Sequence, residues 1–475
     1  MASPLLLTDG YKFSMAEAGW PLRRETFYYS HRKGGLQVVP FDLDAELKKV
    51  LPVASGGDWE FLAKNDYELG SAVKAALADR SLTVAALPKF SVFSDREPVF
   101  SVTGPSALVS WLEPVVLQWS YRIQVATLAV REPAALAQAI STLTCQAQKQ
   151  LVLETLDAVG VKAPPITVDA EGYVARVRAR VAELIEIVKS PARIFEVGLR
   201  AASCPEQHLL ALEGAKQAGL LRTSSVHGAR VLGLTPVGTM GHEHIQRYGS
   251  DEAAFRAMVE RRYQRSSFLL DTFDTITSGI PTAYRIIAER PGQHDSIRYD
   301  SGDKVAQYRF AASEAKRLGI RPVQILEDSF DAPQTRAFEA LREEVGWKPE
   351  EQVYGYGGYI VAQTAGTPLT RDRVAAVFKL SQTGGRATMK FGNEGGGGKQ
   401  SLPGRPVLFR RRAGASGAFG VVGQEGEAAP EGYELLTGAP ALARVTLPEV
   451  SEADRVIAPS PATRALIDEL SNWRK

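Results

Sequence analysis

Near residue 190 the chain changes rhythm: short apolar runs ending in polar residues begin to alternate with longer stretches whose apolar positions recur at helical spacing. The runs RVLGL, SFLLD, SIRYD, PVQILED and QVYGY, starting at Arg230, Ser267, Ser296, Pro322 and Gln352, predict strands. Between them, DKVAQYRFAASEAKRLG predicts a helix with Val305, Tyr308, Ala312 and Ala315 on one face and Gly319 as its stop. QTRAFEALREEVG repeats the design, with Phe338, Leu341 and Val345 inward and Gly346 as the stop. Strands alternating with helices of this length predict right-handed βαβ units around a parallel sheet, an α/β barrel.

The flanks read differently. The first 130 or so residues mix strand-like runs (Glu25 to His31, Phe90 to Phe93) with the turn formers Pro98, Gly104, Pro105 and Pro114, predicting an α+β unit. Helix formers dominate from Pro133 to Lys189, with a break at Val161 to Pro165. Beyond Thr383 come the glycine-rich NEGGGGKQSLPG, the basic VLFRRRAG and a terminal helix in ATRALIDELSNWRK. The expected organisation is an α+β domain over 1–130, a barrel over 131–382, and a segment over 383–475 that folds back on the first domain, the four-glycine run being a mobile loop.

Composition narrows the function. Of 475 residues, 44% are hydrophobic and 23% charged, with 56 basic against 54 acidic, so no global field would gather nucleic acid or an anionic membrane. The apolar stretch Leu108 to Val130 is interrupted by Glu113, Gln118 and Arg122, against a membrane span. The start MASPLLLTDGYK lacks a signal-peptide pattern, and the expectation is a cytoplasmic protein. Cys145 and Cys204 cannot build a disulfide framework, have no metal-ligand spacing and read as structural.

Candidate chemistry gathers at the strand ends, which form the active face of such barrels. Asp271 and Asp274 follow SFLL; Arg298 and Asp300 alternate and face the same way; Glu327 and Asp328 follow PVQIL; Gly357 and Gly358 follow QVYGY. One acidic strand end can be a helix cap, but the set in register points to a site. The glycines suit close approach of backbone to a phosphate. His242 and His244 in GTMGHEHIQRYG lack the spacing of a metal pair. An acid/base or nucleophilic histidine needs a group orienting its other ring nitrogen, and a strand-end aspartate can serve.

These motifs, in order, resemble those of the nicotinate phosphoribosyltransferase family and, more distantly, the related nicotinamide enzymes. The matching segments are TDGYKFSMA, EPVFSVTGP, EVGLR, RTSS, LTPVGTMGHEH, LLDTFD, IRYDSGD, ILEDSFD, YGYGG and VFKL, starting at residues 8, 97, 196, 222, 234, 269, 297, 325, 354 and 377. The resemblance implies an irregular α/β barrel beside a domain made from both chain ends, as in type II phosphoribosyltransferases, usually in a head-to-tail homodimer. It implies displacement of pyrophosphate from phosphoribose pyrophosphate by nicotinate, with Mg²⁺ on the diphosphate, coupled to ATP hydrolysis through a phosphohistidine, in NAD biosynthesis.

By motif position His242 is that histidine, and Asp271 the carboxylate orienting it; His244 reads as structural. Arg298, Thr239 and Ser225 match contacts to nicotinate, and Tyr11 the aromatic residue that closes over the ring from the neighbouring subunit. Arg200 matches a phosphate clamp, Asp300 and Asp328 the carboxylates near the ribose hydroxyls, and Gly357 with Gly358 a cradle for the 5-phosphate. The sequence departs from the pattern at Val197 and Ala201, where relatives carry phenylalanine and a second arginine, and at Gly358, where some have threonine. The hydroxyls of Thr223, Ser224 and Ser225, in place of the aspartate of the nicotinamide enzymes, favour nicotinate. A nicotinamide enzyme, a glycosidase with paired carboxylates and a non-catalytic phosphoribose sensor are the alternatives, and the pairing of His242 with Asp271 weighs against the sensor.

Overall fold

A computed structural model describes residues 3–18, 22–362, 368–391 and 400–474; the four-glycine run lies outside them. Its centre is a seven-stranded sheet in which every neighbouring pair is parallel. In spatial order the strands are Thr235–Pro236, Arg222–Thr223, Ile194–Glu196, Gln352–Tyr356, Val323–Leu326, Ser296–Tyr299 and Ser267–Leu269. The sheet is curled but open: among the described residues its two edge strands do not pair, and the connection between them carries Thr239 and His242. The expected α/β architecture is thus present as a half-barrel.

Local signals explain most elements. The helix Lys304–Leu318 is capped by Asp303, which accepts from the Val305 and Ala306 amides, and stops at Gly319 in the left-handed region. Ala332–Val345 follows the cap Asp331 and stops at Gly346 (φ 83°). The predicted faces hold in part: Tyr308, Ala315, Phe338 and Leu341 are buried, but Val305 is exposed, because it opens its helix at the sheet's rim. RVLGL is not a strand. Ser225 caps a helix over Val226–Leu232 that ends at left-handed Gly233, and the strand is the pair Thr235–Pro236. A five-residue apolar run fits either element, and the flanking cap and glycine decide.

A second, antiparallel sheet has the order Arg386–Ala387, Ala376–Thr383, Arg24–His31, Pro98–Pro105, Thr83–Ala86. VFKL, placed by the sequence reading at the end of the barrel, belongs here, paired with Arg24–His31 across more than 340 positions of chain. Phe27 and Phe378 stack at 5.2 Å, inside a hydrophobic core that continues to Ile194, Leu269, Ile297 and Tyr354 of the parallel sheet. The tail forms a four-stranded sheet, Tyr433–Leu435, Pro406–Arg411, Gly420–Gln424, Ile457–Pro459. Arg410 binds Glu97 at 2.7 Å, and the Gly438 amide donates to Ala86, joining this sheet to the N-terminal one. Cys145 and Cys204 are free, buried thiols 3.6 Å apart, each just before a helix. No helix among the described residues is long and apolar enough to cross a membrane.

Candidate active site

The strand-end residues converge at the C-terminal rim of the parallel sheet. Arg298, in the strand Ser296–Tyr299, is buried; its Nη1 donates to Thr239 Oγ1 at 2.6 Å. Asp300 Oδ1 lies 3.6 Å from Nη2 and Glu327 Oε2 lies 3.7 Å from Nε, near enough to compensate charge and too far to hydrogen-bond well. Nε has no hydrogen-bond partner among the described residues. This guanidinium is held in place yet incompletely used.

His242 opens the helix His242–Tyr248, and Asp271 follows the strand Ser267–Leu269. The expected contact between them is looser than the motif implied: Asp271 Oδ1 is 3.6 Å from Nε2. The reason is Lys390, which the sequence reading passed over. Its Nζ lies 2.8 Å from His242 Nε2, 3.0 Å from Asp271 Oδ2 and 3.8 Å from Asp300 Oδ2. Asp271 therefore orients the lysine, which orients the histidine. Lys390, the nearer group, donates to Nε2, with Asp300 Oδ2 farther off at 3.3 Å from the same nitrogen, and Nδ1–H then donates to Thr272 Oγ1 at 3.0 Å. Burial first, then Lys390, pushes His242 down to about 4, so the ring is neutral near pH 7. Burial opposes the charge of Asp271, but Lys390 and His242 more than offset it, and its carboxyl stays below the usual range.

His242, Asp271 and Asp300 offer three ligand atoms within 4.8 Å of one another. The Lys390 ammonium already sits against all three, in the place a cation would take, so these residues do not fit a resident metal. Lys390 is fixed by Ser401, whose amide donates to the Lys390 carbonyl at 3.1 Å and whose Oγ accepts from the Lys390 amide at 2.8 Å. A lysine between Met389 and Phe391 was the signal available in the sequence. Lys379 of VFKL also went unremarked; burial pushes it down to about 7, with Glu113 acting the other way.

The N-terminal helix Gly10–Glu17 closes the other side. Arg200 Nε lies 3.2 Å from Asp9 Oδ2, its Nη1 3.8 Å from Glu113 Oε1, and its guanidinium 5.5 Å from the Tyr11 ring centroid. Tyr11 donates to Glu113 and is buried within its own chain. The Gly10 amide donates to the Ser224 carbonyl at 2.7 Å and anchors the helix on the parallel-sheet body. Behind Tyr11 runs a buried ionic chain. Lys12 binds Glu113 (2.8 Å) and Glu243, and Arg247 binds Glu243 and Glu25 (both 2.8 Å).

The RTSS hydroxyls all bond inside the protein. Thr223 donates to Glu196 (2.6 Å), Ser224 to Asp9 (2.6 Å), and Ser225 accepts from the Gly228 amide as a helix cap. Thr223 and Ser224 position the wall of the site, while Ser225 acts here only as an acceptor, which leaves its O–H compatible with a carboxylate contact. Asp274 is likewise a cap, accepting from the Ile276 and Thr277 amides. His244 is structural as read, its Nε2 donating to the Ala254 carbonyl at 3.1 Å. Asp328 is exposed at the rim near Lys304 (3.8 Å), in the left-handed region at φ 61°. Gly357 precedes the short helix Gly358–Val361, and a Cβ on Gly358 would lie 2.4 Å from Asp372 Oδ2. Gly198 packs here too: a Cβ on it would lie 3.0 Å from the Gly357 carbonyl, so the glycine turn and the loop carrying Arg200 are neighbours. Val197 faces Gly357, and Ala201 borders a cavity of about 560 Å³.

No family model matches the chain. It is 27% identical over 241 residues to the nicotinate phosphoribosyltransferase pncB2 of Mycobacterium tuberculosis, covering 50% of this chain and 48% of that one. It is 28% identical over 137 residues to the nicotinate phosphoribosyltransferase of Bacillus subtilis, 28% of each chain. The match thus spans about half, or less, of the length of these curated relatives. Among solved structures, a putative nicotinate phosphoribosyltransferase from Saccharomyces cerevisiae aligns with TM-score 0.60 at 16% identity, over 83% of this chain and 94% of that one. The nicotinate phosphoribosyltransferase of Porphyromonas gingivalis aligns with TM-score 0.60 at 18% identity, over 84% and 96%. Sequence relatives named nicotinate phosphoribosyltransferase support the family likeness carried by the motifs, and the structural neighbours share the fold.

Proposed function

We propose that the protein is a cytosolic nicotinate phosphoribosyltransferase of NAD biosynthesis, forming nicotinate mononucleotide and pyrophosphate from nicotinate and phosphoribose pyrophosphate. The observation that carries this reading is Arg298: a buried guanidinium held by Thr239, with an N–H left over, at the rim where His242, Asp300 and Arg200 also meet. Such a fork suits a ring carboxylate better than an amide. With the carboxylate on Arg298 and Thr239, the ring nitrogen is free to attack ribose C1 as the bond from C1 to the diphosphate breaks. Positive charge builds at the ribose, and catalysis comes mainly from positioning and from fixed charges. Asp300 is the buried carboxylate nearest that charge, Arg200 and the Gly357–Gly358 turn take phosphate oxygens, and Asp328 meets a ribose hydroxyl from the rim. Mg²⁺ enters with the substrate diphosphate.

In the same reading ATP phosphorylates His242. The tautomer that Lys390 and Thr272 select puts the lone pair on Nε2; as Lys390 turns its N–H from that lone pair to the phosphoryl oxygens, Nε2 attacks the γ-phosphorus and ADP leaves. The protein works as a homodimer in which Tyr11 of one subunit closes over the ring bound by the other, so mixing Tyr11→Ala and His242→Ala subunits should restore some activity, and none returning would count against shared sites. The deciding experiment is steady-state pyrophosphate release with phosphoribose pyrophosphate and Mg²⁺, comparing nicotinate with nicotinamide, with and without ATP. Nicotinate turnover stimulated by ATP, with the stimulation lost in His242→Ala, is expected. Preference for nicotinamide, or no release with either base, would overturn the reading.

A further inference from the structure

We infer that Glu327 is a specificity-determining residue: standing beside Arg298, it makes the binding of a pyridine carboxylate take up one proton and thereby weights the choice between charged and neutral rings. The inference rests on the reading of Arg298 as the carboxylate-binding residue. Glu327 is 6% exposed and follows the strand Val323–Leu326. Its Oε2 lies 3.7 Å from Arg298 Nε, the same N–H that has no hydrogen-bond partner. A ligand carboxylate that takes this N–H must come close to Glu327.

The glutamate has little room to leave. It lies over Gly355 of the neighbouring strand, where an added Cβ would sit 2.5 Å from Glu327 Cγ and 2.9 Å from Phe195 Cζ. The charged groups that act on it are Arg298 and Asp300 from one neighbouring strand and its end, Arg200 from the loop after Ile194–Glu196, and Asp328 next in the chain. On the other side the strand Gln352–Tyr356 presents only glycine. Burial raises the Glu327 pKa above the ordinary range, Asp300 and Asp328 add to this, and Arg298 and Arg200 oppose it. A third carboxylate arriving beside Glu327 and Asp300 is met most easily by protonation of the group already inclined to it. The proton comes from solvent and stays on the Glu327 carboxyl while the ligand is bound. A neutral pyridine amide makes no such demand.

The test is direct binding. Calorimetry of nicotinate binding in two buffers of different ionisation heat should show uptake of about one proton per ligand at pH values where free Glu327 is ionised. The nicotinate KM should rise by up to about tenfold per pH unit there, while nicotinamide binding stays flat. In Glu327→Gln, which keeps the side-chain shape, both the uptake and the slope should vanish, with retained nicotinamide binding showing an intact site. Absence of uptake in the wild type, or uptake persisting in Glu327→Gln, overturns the inference. Glu327-dependent uptake in a protein that releases no pyrophosphate overturns the proposed reaction and leaves this inference standing. Turnover of nicotinate without uptake does the reverse, and no nicotinate binding overturns both.

Discussion

The two sides of the candidate site use charge differently. Behind Tyr11, Lys12, Glu113, Glu243, Arg247 and Glu25 form ion pairs of 2.8 Å or less, each cation against two carboxylates. At the strand ends, Arg298 keeps its two carboxylates at 3.6 and 3.7 Å. Tight, closed pairs leave nothing for a ligand and hold the N-terminal helix to the barrel; loose pairs around a buried cation hold a position open. On the proposed reading the same residue types serve structure on one side and binding on the other, and the distances separate the two.

The comparison can be broken most sharply at Arg247. Arg247→Leu leaves Glu25 buried without its close cation and Glu243 with Lys12 alone, and should cost about 3–5 kcal/mol of stability, read by denaturant unfolding, with little change in KM of whatever remains folded. At the strand ends the expectation is reversed. Arg298→Ala should lower kcat/KM for nicotinate by about a hundredfold with a far smaller loss of stability, since one or two charge-assisted hydrogen bonds to the ligand disappear. An unfolded Arg298→Ala or a fully stable Arg247→Leu would sink the distinction.

Lys390→Met sharpens it. Removing the ammonium should lower ATP-stimulated turnover by about tenfold, and the His242 resonance should titrate at a higher pH, because Lys390 is one of the causes holding it near 4. A titration that stays in place would return the lysine to a structural role.

The smallest effect compares histidines. His242 and His244 are pushed down to about 4 and His31, in the antiparallel sheet, to about 3, each first by burial. Each is neutral in the folded protein, while an unfolded histidine takes a proton below about pH 6.5. The unfolded state thus binds more protons in that window, and stability falls as pH drops from about 6.5 toward 4. His31→Gln and His242→Gln should each reduce the slope of stability against pH by about 1.4 kcal/mol per unit, equally in the two regions, since burial acts on both. Unequal slopes would show that the charged neighbours of His242 matter more than its burial.

Much of this was legible in the chain. Strict alternation places Arg298 and Asp300 on one side of a strand, and apolar runs ending in Asp271 and Glu327 locate a rim, because strand period and barrel geometry follow from local sequence. QVYGY matched its strand residue for residue. Where local signals competed, as in RVLGL, the Ser225 cap and Gly233 outweighed the apolar run, and the sequence alone leaves that contest open.

What only tertiary structure decided is which side chains are already taken. Lys390 stands 148 positions from His242 and 119 from Asp271, and Tyr11 stands 102 from Glu113. No local period links residues so far apart; their meeting depends on how the strand Ala376–Thr383 pairs with Arg24–His31 and how the N-terminal helix docks. By itself the sequence determined the strand-end chemistry, the alternation of strands and helices and the family likeness of the motifs. Packing determined that the Thr223 and Ser224 hydroxyls donate within the protein, that the Tyr11 hydroxyl donates to Glu113 and that Arg298 is left with a donor to offer, because satisfaction of a buried polar group depends on every neighbour in space, whatever their order along the chain.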